Sequence, residues 1–97
     1  MKTFFDGVFI DGERLKEAGI EYPIRLEYFI TTLEENVKKK FGIQIVKTEY
    51  LNTKVNVEIK QMNGIFENIE EVDKVLEILK NNEVTPIGVE DVLQEIL

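Results

Sequence analysis

Between Ile43 and Met62 the chain alternates apolar and polar residues with unusual regularity: Val55, Val57 and Ile59 are separated by Asn56, Glu58 and Lys60. A period of two places the three β-branched residues on one face, which predicts a half-buried strand whose apolar side meets the core. Ile43, Ile45, Val46 and Tyr50 form a second β-rich run, and the link Leu51-Asn52-Thr53 has the length of an antiparallel hairpin connection.

On either side of this hairpin the spacing changes to three and four. Leu26, Phe29, Ile30, Leu33, Val37 and Phe41 predict a helix over Ile24–Phe41, with Pro23 suited to its first position and Gly42 to the residue past its end. Glu34 and Glu35 precede Lys38 and Lys39 by four residues, and Lys38-Lys39-Lys40 would then lie at the negative end of the helix dipole. After the hairpin, Asn63-Gly64 reads as a turn. Asn68 and Glu71 make a capping box for a second helix that buries Val72, Val75, Leu76 and Leu79 and ends at Asn81-Asn82. A final helix carries the stripe Val89, Val92, Leu93, Ile96 and Leu97. Val84–Ile87 reads either as a short edge strand or as the approach to that helix, with Thr85 as cap and Pro86 as first residue.

The N-terminal stretch leaves two readings open. Either Thr3–Ile10 is one strand with an irregularity at Gly7, or Lys2–Phe5, Val8–Ile10 and Glu13–Leu15 form a small meander; a principal strand through Val8–Ile10 is preferred. Asp11–Tyr22 then connects, with a short turn of helix around Leu15–Ala18. Together the elements predict one α+β domain over residues 1–97: a ferredoxin-like βαββα(β) antiparallel sheet with helices on one face and an added C-terminal helix. The alternative is ββαββα.

Composition narrows the chemistry. The 97 residues contain no His, Cys, Ser or Trp, which excludes Ser-His-Asp and Cys-His nucleophilic catalysis, imidazole acid–base work and zinc sites built on His or Cys. The six glycines are dispersed and form neither a dinucleotide fingerprint nor a P-loop. No apolar run approaches the roughly 20 residues of a membrane-spanning helix, and Asp6 interrupts the N-terminal apolar residues before a signal sequence forms. A cytoplasmic location is expected, with no cofactor and no metal.

Charge adds a direction. Residues 1–65 hold ten acids and ten bases, whereas residues 66–97 hold nine acids against Lys74 and Lys80, so the net charge of −7 lies in the last third. An acidic surface favours a basic partner and repels nucleic acid. Glu70, Asp73 and Glu77 on the second helix, with Glu90, Asp91 and Glu95 on the third, are the expected partner-binding residues. The leading expectation is a non-catalytic regulatory or adaptor protein. One alternative is an inhibitor that mimics nucleic-acid phosphates, of the type small phages and mobile elements use; another is a magnesium-dependent carboxylate enzyme.

Three smaller groups have ordinary roles to set against functional ones. Asp6, Asp11 and Glu13 could offer oxygens to a cation, but aspartate before glycine is common turn chemistry and the spacing is not that of a calcium loop. Tyr22, Tyr28 and Tyr50 with Arg14 and Arg25 could anchor an interface or simply pack with their polar ends at the rim. The terminal stripe must be covered, either by this domain or by a homodimer contact through Val89, Val92, Leu93 and Ile96.

Overall fold

Alternation, rather than helical spacing, governs residues 24–50. In the computed structural model, which describes residues 1–20, 22–34 and 36–97, the stretch expected as the first helix is strand β2 (Ile24–Thr32), a loop, and the first residue of strand β3 (Phe41–Tyr50). Ile24, Leu26 and Tyr28 are buried in alternate positions, with Ile30 half-buried behind them. The three- and four-residue spacing arose because Phe29 interrupts the alternation. In the strand it faces the other side of the sheet, against the edge of Phe4. Tyr28, Phe29, Ile30, Thr31 and Thr32 are aromatic or β-branched residues that suit a pleated surface, and pairing with β3 decides the conformation.

Strand β1 (Lys2–Ile10) precedes β2, and β4 (Val55–Phe66) follows β3, giving a four-stranded sheet of order β1-β2-β3-β4 with every neighbouring pair antiparallel. The sheet and its three helices form an α+β fold with a C-terminal helix, as the pattern predicts, but the strands run as a meander. The helix expected between the first two strands is itself strand. β1 is one strand with a register shift between Phe4 and Asp6, so the N-terminal meander of the alternative arrangement does not form. Asp6 is not in a turn; its carboxylate accepts the Gly7 N–H at 2.8 Å.

Helix α1 (Gly12–Leu15), capped by Asp11 accepting the Arg14 N–H, continues into a 3-10 turn at Lys16–Ala18 and makes the connection to β2. Pro23 lies before β2, where its carbonyl accepts the Tyr50 N–H. Without a helix over 24–41 the dipole account of Lys38-Lys39-Lys40 falls away. Lys38 reaches Glu67 at 3.5 Å, and the expected Glu35–Lys39 pair lies outside the described residues.

The expected hairpin is present, with the Leu51 N–H donating to the Lys54 carbonyl across its turn. Asn63-Gly64 is not a turn but part of an outward bulge. Between the pairs Ile43–Met62 and Phe41–Phe66, β4 spends three residues against Gly42 alone. The bulge brings the Met62 carbonyl and the Asn63 Cα so close to Gly42 that a β-carbon there would overlap both, together with the Thr31 hydroxyl. Gly42 is therefore a close-approach glycine, not a helix cap.

Helix α2 (Ile69–Asn81) crosses all four strands, and the Asn68 carboxamide caps it by accepting the Glu71 N–H at 3.0 Å. Val72, Val75, Leu76 and Leu79 are buried against Ile10, Leu26, Tyr28, Ile43 and Ile45. Past its end the Val84 N–H returns to the Leu79 carbonyl and the Glu83 N–H to the Lys80 carbonyl, which places Glu83 in the left-handed region at φ 51°. Val84–Ile87 forms no strand. Thr85–Gly88 is a turn closed by the Gly88 N–H, and Gly88, not Thr85, sits at the start of helix α3 (Val89–Ile96).

Candidate functional surfaces

The helices cover one face of the sheet, and this gives the molecule two surfaces of opposite character. The outer side of α2 and α3 is acidic. Glu70, Asp73, Glu77, Asp91 and Glu95 are exposed there, and Glu90 is exposed at the edge of α3 that faces β4. Glu77 lies 3.6 Å from Lys80, and Glu90 pairs with Lys60 of β4; Glu70, Asp73, Asp91 and Glu95 make no ion pair among the described residues. Residues 70, 73 and 77 lie on the side of α2 opposite its buried stripe, over a span of about 10 Å at a rise of about 1.5 Å per residue.

The terminal stripe divides. Val89 and Leu93 are buried in the core and Val92 is half-buried against it, so the expected homodimer contact through Val89, Val92, Leu93 and Ile96 is left with Ile96 as its one exposed member. A short amphipathic helix cannot stand alone, and here Val89 and Leu93 join the domain's own core.

The helices leave the opposite face of the sheet uncovered, and apolar side chains stand exposed on it among polar ones. Phe4, Phe9, Val55, Val57 and Ile59 are each more than half exposed on it. The expected orientation of β4 is thus reversed: Val55, Val57 and Ile59 point to solvent, while Glu58 and Lys60 lie on the helix side beside Lys47 and Glu90. The cause is the extent of the helix layer. It covers β4 only near Met62, Ile65 and Phe66, and beyond them the helix side of the strand faces charged groups. A signal was present in the sequence, because Met62 and Phe66 share the parity of Asn56, Glu58 and Lys60, not that of the valines.

A polar cluster closes the end of the sheet nearest α1. The Arg14 guanidinium donates to Glu83 at 2.7 Å, and the Tyr22 hydroxyl donates to Glu49 at 2.8 Å. That Glu49 hydrogen bond pushes the Tyr22 hydroxyl pKa up. With Lys47, Arg14 and Glu83 rim a cleft of about 290 Å³ floored by Leu15, Ile20 and Leu26. Its charges are already paired: Lys47 lies 3.8 Å from Glu49.

The remaining candidates have structural roles. Asp6 accepts from Lys80 at 2.9 Å, tying β1 to the end of α2, and this bond holds its carboxyl below the usual carboxylate range. Tyr28 is fully buried, so it anchors the core, not an interface. Among the described residues, no three His, Cys, Asp or Glu side chains converge to hold a metal ion. No described helix is long and apolar enough to cross a membrane.

No curated protein and no solved structure matches this chain. A family model does: the one described as Family of unknown function (DUF6514) matches residues 10–97, nearly the whole chain, and the protein belongs to that family.

Proposed function

We propose that this protein is a non-catalytic binding module, regulatory or adaptor in role, whose acidic helix layer docks a macromolecular partner with a basic surface. The observation that carries this reading is the segregation of surface character. Five carboxylates, Glu70, Asp73, Glu77, Asp91 and Glu95, stand exposed on the outer side of α2 and α3, with Glu90 exposed at the edge of α3 beside Lys60, while the sheet turns a face with exposed apolar side chains the other way. The absence of His, Cys and Ser from the sequence supports a role without covalent or imidazole chemistry and ranks a magnesium-dependent carboxylate enzyme last. A cytoplasmic setting belongs to the same proposal.

The spacing on α2 supports a sharper version. Phosphates on one DNA strand advance about 3.4 Å along the axis, so three carboxylates over about 10 Å can stand in for consecutive phosphates of a nucleic acid in the groove of a nuclease or DNA-binding protein.

The test is capture from source-cell lysate at low and high salt with the parent chain and with a variant carrying Glu70→Lys, Asp73→Lys and Glu77→Lys. The expected result is a partner held at low salt, released at high salt and lost in the variant, whose melting curve is unchanged because the positions are exposed. Competition by duplex DNA for the same partner selects phosphate mimicry. A partner held equally by the variant overturns the reading and reduces the acidic surface to a solubilising one.

A further inference from the structure

The open face of the sheet carries a hollow and a knob in one cross-strand row. Gly7 is opposite Glu27, Glu27 opposite Val46, and Val46 opposite Ile59, so the row runs from edge strand β1 to edge strand β4. At the β1 end a hollow of about 310 Å³ is walled by Phe9 and by Phe4, whose ring tip leans to 3.5 Å from where a Gly7 β-carbon would stand, and is bordered by Arg25 and Glu27. At the β4 end Ile59 stands 59% exposed, with Val57 beside it. A two-fold axis parallel to the strands, over the midline between β2 and β3, carries β1 of one copy across β4 of another. It sets each Ile59 over the other copy's Gly7, and an isologous contact makes this fit twice.

We propose that a second copy of this chain docks on this face, the two sheets packing as a sandwich with Ile59 of each copy seated between Phe4 and Phe9 of the other. Aligned sheets cross at about 30°, which displaces a contact about 7 Å from the axis by roughly 3.5 Å, one residue along a strand. A hollow reaching from Phe4 to Phe9 accommodates that displacement. The charge on this face is small enough to permit a second copy. The open face holds Lys2, stacked 4.4 Å over the Phe29 ring, with Arg25 and Glu27, a net of one positive charge, so two chains of net charge −7 can meet here with their acidic helix layers pointing apart. The area suffices. Four strands about 4.8 Å apart and nine residues long present roughly 570 Å² per copy, about 1,100 Å² in all, which clears the ~1,000 Å² of a specific interface.

Analytical ultracentrifugation of the full chain over a range of concentrations tests this. The parent is expected as a dimer whose urea midpoint rises with protein concentration, and Ile59→Lys as a folded monomer whose midpoint does not. Seating is read by cross-linking, since the chain has no cysteine of its own. In an oxidised equimolar mixture of Ile59→Cys and Phe9→Cys chains, the mixed disulfide should exceed the Ile59→Cys homodimer by well over the factor of about two that random pairing gives. A parent that is monomeric at every concentration, which leaves the face to a different protein, overturns the proposal. So does a dimer that survives Ile59→Lys, or a mixed disulfide no more abundant than random pairing gives. None of these outcomes bears on the acidic layer, whose reading stands or falls with the charge-reversal variant.

Discussion

Removing the hydroxyl of Tyr28 tests the fold at the position where strand and helix readings differ most. As a helix, residues 24–41 would bury Phe29 and Leu33 and leave Tyr28 off the stripe; as strand β2 they bury Tyr28 completely. Its hydroxyl donates to the Val84 carbonyl at 2.8 Å, with the Leu79 carbonyl at 3.4 Å. Leu79 has another donor in the Val84 N–H, so Tyr28→Phe chiefly orphans the carbonyl of Val84, a buried residue. Losing a hydrogen bond and leaving its acceptor unsatisfied costs about 1–3 kcal/mol. For a domain of this size, a cost of about 2 kcal/mol lowers the melting temperature by roughly 8–16 °C.

Urea unfolding should show a lower midpoint with an unchanged slope, because the surface exposed on unfolding is the same. The variant should also change the alkaline limb. Burial, and then the Glu83 carboxylate, push the Tyr28 pKa well above the ordinary tyrosine value of 10.0. A group whose folded pKa is raised contributes stability that is present below the unfolded value and lost as pH rises above it. The parent should therefore lose stability above about pH 10, and Tyr28→Phe should lose less over the same window. A change within about 0.5 kcal/mol, the range of exposed substitutions, would refute the placement of Tyr28 in the core.

Two further outcomes follow from the packing. Asp6 is held below its usual pKa first by the hydrogen bond from Lys80 and then by that from the Gly7 N–H, so its contribution is present above the unfolded value near 3.8 and lost as pH falls below it; Asp6→Asn should flatten the acid limb of stability against pH, and an identical limb would remove the ion pair from the account. Leu93→Ala should destabilise by about 2–5 kcal/mol, as for a buried leucine, whereas Ile96→Ala on the same helix should cost less; equal small effects would show that α3 is not docked.

Signals that act within a few residues were legible in the sequence. The Asn68–Glu71 cap, the buried stripe of α2, the end of that helix at Asn82 and the β3–β4 hairpin each depend on neighbours at most four or five positions away, and each stands where the spacing puts it. The acidic surface was legible for the same reason: Glu70, Asp73 and Glu77 lie opposite the buried stripe of their own helix. Tertiary structure decided the conformation of residues 24–32 and the face that β4 buries. Ile24, Leu26, Tyr28 and Ile30 satisfy a period of two while Leu26, Phe29, Ile30 and Leu33 satisfy helical spacing, and only the ladder with β3 separates them. In β4 the valines and Ile59 define an apolar face without saying which side of the sheet it is. The side is fixed where α2 and α3 land, through contacts distant in the chain, and those helices cover Met62 and Phe66. A strand's alternation fixes which residues share a face, while burial belongs to whatever packs on it.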